Sequence, residues 1–244
     1  VQRDKSQKGD VSQFGALATA LAATIGTGNI IGVATAVALG GPGAVFWCWL
    51  TGVFGISTKY SEALLAIKYR VKSESGRMLG GPMYTLERGL GWRKMGILFA
   101  VFTAIAAFGI GCTVQANAIS TIMHASYGIS TEVSGGVLML LSAAVIIGGV
   151  RSVSKVCSML VPLMALLYVL GCIFILCVNA GYVMPALRLI VCSAFSPQAA
   201  DGGFAGASVI MAARYGIARG LFSNESGLGS APIVAAAART KNPV

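Results

Sequence analysis

Charged residues are scarce in this sequence of 244 residues. They make up 11% of it, whereas soluble domains carry about 25% and keep them on a wetted surface. Four long stretches hold no Asp, Glu, Lys or Arg at all, namely residues 11–58, 95–131, 133–150 and 156–187. Each is long enough to cross a hydrocarbon core about 30 Å thick, which takes roughly 20 residues. The lack of charge therefore argues against a water-soluble fold and predicts an all-α polytopic membrane protein in a lipid bilayer.

Metal ligands and disulfide partners are also few. His124 is the single histidine, and the six cysteines form no CxxC pair. Neither a zinc site nor a disulfide framework is predicted, and the cysteines are expected to pack as small apolar residues. The net charge of +10 does not indicate a nucleic-acid partner. The basic residues lie at the ends of the apolar runs, where the positive-inside rule places them.

The apolar runs predict about six transmembrane helices. The expected spans cover residues 14–39, 44 onwards, 95–123, 133–150, 156–178 with a soft break at Pro162, and a stretch from Gly202, preceded by an irregular outer segment over residues 179–201 that contains Pro185 and Pro197. Lys and Arg concentrate in the N-terminal segment and in the second-to-third and fourth-to-fifth loops. This asymmetry places the N-terminal side in the cytoplasm, and the expected location is the cell (inner) membrane.

Glycine falls inside the apolar runs, and the first span holds the most unusual string, Ala23-Thr24-Ile25-Gly26-Thr27-Gly28-Asn29-Ile30-Ile31-Gly32. One interpretation is close helix packing through small residues, with Asn29 hydrogen-bonded to a neighbour. The other is an unwound helix midpoint, whose freed carbonyls bind a cation while the N–H groups of the next half-helix hold a carboxylate. Both interpretations fit the sequence.

A second candidate break follows Asp201, in the string Asp201-Gly202-Gly203-Phe204-Ala205-Gly206. An acidic residue near membrane depth is a candidate partner for a substrate ammonium group. Asp201 is equally compatible with a solvated loop residue that caps the following helix. Two interrupted segments in corresponding halves of a chain are typical of secondary transporters with inverted repeats.

Two further sets of polar residues each allow two interpretations. Gln115, with Asn117 nearby, is a candidate cavity residue in the third span, although such residues more often tie helices together. The string over residues 222–230 is a candidate cytoplasmic gate in which Glu225 pairs with an arginine. Alternatively, it is a helix-ending loop in which Ser223 or Asn224 serves as a cap.

Four strings in this chain resemble those of a known family. They cover residues 18–30, 40–50, 80–84 and 219–232. The chain is similar to the alanine or glycine:cation symporters, also called the sodium:alanine symporters, with Cys48 where methionine is usual. The resemblance implies a leucine-transporter-type fold of two inverted five-helix repeats. Residues 11–180 would form the first repeat, and residues 181–244 the outer segment and the start of the second.

The resemblance also implies sodium-coupled symport of alanine or glycine by alternating access, without enzymatic activity. The predicted substrate-binding residues are Thr27, Gly28, Asn29, Gln115, Asp201, Gly202, Gly203 and Gly206. The predicted sodium ligands are backbone oxygens of Ala22, Thr24 and Ile25, together with Asn29. Because family members continue for several more helices, we expect the chain to be a piece of a longer protein that does not transport alone.

Three alternatives stay open. One is a transporter or channel of the same superfamily with another small solute, and a second is a purely structural membrane subunit. The third is an intramembrane hydrolase that uses Ser223, Ser226 or Ser230 with His124 as the base. This last alternative is the least supported, because a triad requires proximity and the predicted topology puts His124 on the outer side and the serines on the cytoplasmic side.

Overall fold

The computed structural model describes residues 9–195 and 209–240, which are almost entirely helical. The helices are α1 (Gln13–Thr24), α2 (Ile31–Gly40), α3 (Ala44–Lys68), α4 (Pro82–Gly89), α5 (Arg93–Ala106), α6 (Thr113–Tyr127), α7 (Thr131–Ile146), α8 (Gly149–Val178), α9 (Ala180–Phe195), α10 (Val209–Asn224) and α11 (Ser230–Ala236). Two short antiparallel strands, β1 (Val71–Lys72) and β2 (Met78–Leu79), form a hairpin. The predicted all-α membrane class is confirmed.

Among the described residues, two helical stretches are long and apolar enough to cross a membrane, Arg93–Tyr127 and Gly149–Val178. The first joins α5 and α6 through a π-helical turn at Ala107–Gly111. The pair formed by α1 and α2 is a third candidate, if the two halves are counted as one broken span. Other expected spans coincide with α3, α7 and α10. These helices lie where the sequence predicted them, but in the described chain they are too short or too polar to count as spans by length and composition.

Two predictions about proline were wrong. Helix α8 continues through Pro162, where a soft break was expected, and α9 occupies most of the segment predicted to be irregular, with Pro185 in its interior. A proline removes one backbone hydrogen bond and costs about 3 kcal/mol inside a helix. Unwinding an apolar segment would leave several backbone groups without water to bind. The helical conformation is therefore retained, while Pro197 lies outside the described residues.

The described residues pack as two units. One unit contains residues 24–59, 162–195 and 209–227, and in it α10 packs against α2, α9 and the turn that precedes α2. Aromatic side chains join α3 to α9, since the ring of Phe46 lies 5.0 Å from that of Phe195 between centroids. The indole Nε1 of Trp47 also donates a hydrogen bond of 3.4 Å to the carbonyl of Ala194.

The other unit contains residues 9–23, 60–161 and 228–240. In it, a group of hydrogen bonds surrounds the end of α11. The guanidinium of Arg70 donates to the carbonyls of Ala236, Ala238 and Thr240 at 3.1, 2.8 and 2.6 Å. Partial burial lowers the pKa of Arg70 from its usual value. Val11 forms a parallel bridge with Ala238, so the N-terminal segment is fastened to the same place.

Candidate functional site

The first span is broken where the sequence predicted it. Helix α1 ends at Thr24, a single 3₁₀ turn covers Thr27–Asn29, and α2 begins at Ile31. The amides of Asn29 and Ile30 donate to the carbonyls of Gly26 and Thr27 at 3.1 and 3.2 Å. At the break, the end of α1 presents its last carbonyl groups and the start of α2 presents its first N–H groups.

The side chain of Asn29 forms one hydrogen bond across the break and another to α10. Its side-chain Nδ2 donates a hydrogen bond of 2.9 Å to the carbonyl of Thr24, which closes the gap between the two half-helices. Its Oδ1 accepts a hydrogen bond from the hydroxyl of Ser223, near the end of α10. Both residues are half-buried. The geometry of Asn29 therefore agrees with both interpretations. Asn29 is hydrogen-bonded to a neighbouring helix, and it also lies in the unwound midpoint of the first span.

The residues after Ser223 attach the end of α10 to the middle of α3. The Nδ2 of Asn224 donates to the carbonyl of Thr51 at 3.2 Å, and the hydroxyl of Ser226 donates to the carbonyl of Gly55 at 3.1 Å. The Oδ1 of Asn224 accepts the backbone N–H of Ser226 at 2.9 Å. Three segments thus meet at one junction, which we call the break junction: residues 24–30, residues 51–55 and residues 222–226.

A second helix break lies between α10 and α11. Helix α10 ends at Asn224 and α11 begins at Ser230. Of the residues between them, Glu225, Gly227 and Gly229 have positive φ angles of 51°, 88° and 79°. Left-handed conformations of this kind end a helix, and they are costly for a residue with a Cβ such as Glu225. The described chain therefore contains two broken helical segments, and the start of the second break touches the first.

Small residues allow α10 to reach the junction. A Cβ on Gly216 would lie 2.6 Å from the Cβ of Trp47, and one on Gly40 would lie 3.1 Å from the carbonyl oxygen of Met211. Glycine at such positions permits close approach of helix backbones. At the junction itself, a Cβ on Gly28 would lie 3.2 Å from two ring atoms of Phe222. The aromatic ring of Phe222 thus covers one side of the first break.

The structure describes some of the other predicted site residues. Ala22 is in the last turn of α1, and Thr24 and Ile25 lead into the break, so their positions agree with a site at the end of a helix. Gln115 is half-buried on α6, in the unit that does not contain the junction, and its contact with substrate stays a prediction. Asp201, Gly202, Gly203 and Gly206 lie outside the described residues.

Sequence reasoning missed the role of Ser223. The residues 222–230 were interpreted as a gate or a capped loop, but Ser223 and Ser226 are hydrogen-bonded to Asn29 and Gly55. The sequence contains one signal for this contact. Gly216 and Gly220 are spaced one helical turn apart, which permits close helix packing, and the polar residues 223–226 follow them. The hydroxyls of Ser223 and Ser226 thus donate to an amide oxygen and a carbonyl, and Nδ1 of His124 lies 3.2 Å from the carbonyl of Ile129. The geometry gives no support to the hydrolase alternative.

The break junction is rich in neutral oxygen atoms. The carbonyl of Thr24, the Oδ1 of Asn29 and the hydroxyl of Ser223 are joined by hydrogen bonds at one place. Unwound carbonyls and the C-terminal ends of half-helices are the groups that hold sodium in secondary transporters, while half-helix N-termini receive carboxylates. No cluster of three or more His, Cys, Asp or Glu suited to a transition metal occurs within residues 9–195 and 209–240.

Apolar spans define the class as a helical membrane protein, and a broken first helix with a second break that touches it is typical of secondary transporters. Comparison with known proteins identifies the family. The sodium:alanine symporter family matches residues 1–244, and the chain belongs to that family. The family and the relatives are transporters, which confirms the expectation that the chain is not an enzyme.

Three relatives illustrate the match. The chain is 51% identical over 245 residues to the sodium/alanine symporter AgcS of Methanococcus maripaludis, covering 99% of this chain and 53% of AgcS. It is 54% identical over 244 residues to an uncharacterized transporter of Haemophilus influenzae, covering 100% and 54%. It is 36% identical over 242 residues to the amino-acid carrier protein AlsT of Bacillus subtilis, covering 99% and 51%. The chain spans about half the length of these relatives.

Proposed function

We propose that this protein takes up a small amino acid, alanine or glycine, together with sodium. The observation that carries the proposal is the break junction, where Asn29 joins the two halves of the first span to Ser223 of α10. A packing helix does not need a break at this position, whereas an ion and a zwitterion need the carbonyl and N–H groups that a break releases. The membership in a family of sodium:alanine symporters supports the same activity.

Sodium is expected at the C-terminal end of α1. The carbonyls of Ala22, Thr24 and Ile25 and the Oδ1 of Asn29 are its proposed ligands, and the negative end of the α1 dipole favours a cation there. The carbonyl of Thr24 and the Oδ1 of Asn29 already accept one hydrogen bond each. Carbonyl and amide oxygens have two lone pairs each, so an oxygen that accepts a hydrogen bond is also able to bind an ion.

The amino acid is expected on the other side of the break. Its carboxylate would bind at the segment Thr27, Gly28 and Asn29, at the positive end of α2. Its ammonium group would bind Asp201 and the glycine-rich segment through Gly202, Gly203 and Gly206, with Gln115 as a further polar contact. A small side chain is favoured because the ring of Phe222 covers Gly28. This crowding supports alanine or glycine over a larger solute of the same superfamily.

Alternating access is the proposed mechanism, in a leucine-transporter-type fold with inverted repeats. Residues 11–180 would form the first repeat and residues 181–244 would begin the second. The two broken segments, in α1–α2 and α10–α11, support this arrangement because they open the two proposed halves. The proposed location is the inner membrane, and the concentration of Lys and Arg in alternate loops supports an orientation with the N-terminal side in the cytoplasm.

The test is uptake of radiolabelled alanine and glycine into proteoliposomes that contain the full-length protein. An inward sodium gradient is imposed, and potassium replaces sodium in the control. Accumulation that follows the sodium gradient is the expected result. Properly inserted protein that accumulates neither amino acid under either gradient would refute the substrate proposal and favour another solute of the same superfamily.

A further inference from the structure

A cavity lies among the basic loops of the unit that does not contain the break junction. It has a volume of about 670 Å³ and belongs entirely to the unit of residues 9–23, 60–161 and 228–240. Its walls are the β1–β2 hairpin with the start of α4, the beginning of α8, and one side of α11. Nothing in the proposed transport mechanism uses these residues.

Two arginines give this cavity its charge. Arg77, in the hairpin, and Arg151, in the first turn of α8, both line it, and both are exposed. Neither has a salt-bridge partner within 4.0 Å among the described residues. The cavity also contains Asp10, but one oxygen of that carboxylate accepts the backbone N–H of Met78 at 2.8 Å. The cavity therefore has two cations for one acid, and that acid is already hydrogen-bonded.

The backbone adds donors beside the arginines. Residues 148–151 line the cavity, and α8 begins at Gly149, whose φ of +69° is left-handed. The first N–H groups of a helix have no intrahelical acceptor and carry the positive end of its dipole. A Cβ on Gly149 would meet nothing within 4 Å. The open space beside this turn is large enough for a ligand to approach the backbone.

The position of the cavity indicates where its ligand comes from. Helix α8 has 30 residues and is about 45 Å long, which exceeds a hydrocarbon core of about 30 Å and reaches the headgroup layer. Arg151 lies in the first turn, so it is expected at headgroup depth. Apolar side chains line the same cavity, among them Met83, Ile233 and Val234. A cationic site with apolar walls suits an amphiphile better than a free anion.

We propose that this cavity binds a phosphate group between Arg77 and Arg151, and that the phosphate belongs to the headgroup of an acidic membrane phospholipid. Arginine binds phosphate oxygens through paired N–H groups in a planar fork. The N–H groups at the start of α8 would bind the remaining oxygens. The proposal requires only that the chain lies in a membrane, and it is independent of the solute transported.

The experiment measures thermal unfolding of the full-length protein in detergent with increasing fractions of phosphatidylglycerol, with phosphatidylcholine as the neutral lipid. Phosphatidylglycerol is expected to raise the unfolding midpoint of the wild type. Arg77→Gln and Arg151→Gln should each require about tenfold more of it for half of the effect, as the loss of a charge-assisted hydrogen bond implies. Arg88→Gln is the matched control, because Arg88 is an exposed basic residue in the last turn of α4, outside the cavity, and should behave as wild type.

Two further arms keep the result interpretable. If a glutamine variant lacks a cooperative transition in phosphatidylcholine, the lysine variant at that position keeps the charge, and its lipid requirement should lie between those of wild type and Gln. Inorganic phosphate is added separately. Protection by inorganic phosphate with the same arginine dependence would overturn the lipid source. Equal stabilisation of all variants by phosphatidylglycerol, or none of the wild type, would overturn the site itself.

Discussion

Replacing Asn29 by leucine tests the break junction directly. The change removes the 2.9 Å hydrogen bond to the carbonyl of Thr24 and the bond from the hydroxyl of Ser223. Each loss at a half-buried site costs about 1 to 1.5 kcal/mol, because a partner is left unsatisfied. Together they amount to about 2 to 3 kcal/mol, or a roughly 30- to 150-fold lower population of the ordered break. Leucine has nearly the same size, so the helices should still insert and pack.

The assay is sodium-driven alanine uptake by the full-length protein in proteoliposomes, at an alanine concentration below saturation. Uptake by Asn29→Leu is expected to fall to a few per cent of wild type or less, with the amount of inserted protein unchanged. Thr35→Val is the matched control. The hydroxyl of Thr35 donates within α2 to the carbonyl of Ile31 at 2.6 Å, so its loss leaves the junction intact. Wild-type uptake by Asn29→Leu would refute the role assigned to the junction.

Three other changes probe the same architecture. Ser223→Ala removes one of the two side-chain hydrogen bonds of Asn29, so sodium-driven uptake should fall about fivefold to tenfold. Ser223→Thr keeps the hydroxyl and should retain most of the uptake. Equal uptake by the two variants would contradict this expectation. Gly216→Ala places a Cβ against Ala44 and Trp47 of α3, and overpacking of this kind should lower the unfolding free energy by about 1 to 3 kcal/mol. Its control is Gly171→Ala on α8, which meets nothing within 4 Å, and equal thermal stability of the two variants would show that α3 and α10 are not closely packed. Arg70→Gln removes the guanidinium that donates to three carbonyls around the end of α11. Thermal unfolding of this variant should begin several degrees lower than in wild type, whereas Arg88→Gln should unfold at the wild-type temperature.

Charge and glycine patterns predicted much of the fold. The long charge-free runs predicted helices where α3, α7 and α8 lie. The reason is that a single segment in a membrane satisfies its own backbone hydrogen bonds only as a helix. The string around Gly26 and Gly28 predicted the break of the first span, since glycine weakens a helix and polar side chains supply substitute hydrogen bonds. These are local causes, and a single sequence contains them.

The errors have a physical reason in each case. Pro162 and Pro185 were interpreted as breakers, but one lost hydrogen bond is less costly than an unwound segment in an apolar environment. The bond between Ser223 and Asn29 joins residues separated by 194 positions. Local patterns do not show which polar residue meets which other one. Only the packing of α10 on α2 and α3, made possible by glycine, brings these two together.

The break junction also suggests how the proposed sodium site would be coupled to movement. An ion that bound the end of α1 alone, with equal affinity in every conformation, would shift no equilibrium. The proposed ligand Asn29 is hydrogen-bonded to Ser223, and the adjoining Asn224 and Ser226 are bound to carbonyls of α3. An ion on Oδ1 of Asn29 therefore favours the conformation in which the break, α10 and α3 are joined. Sodium affinity should then depend on Ser223 even though the serine lies one hydrogen bond away from the proposed carbonyl ligands.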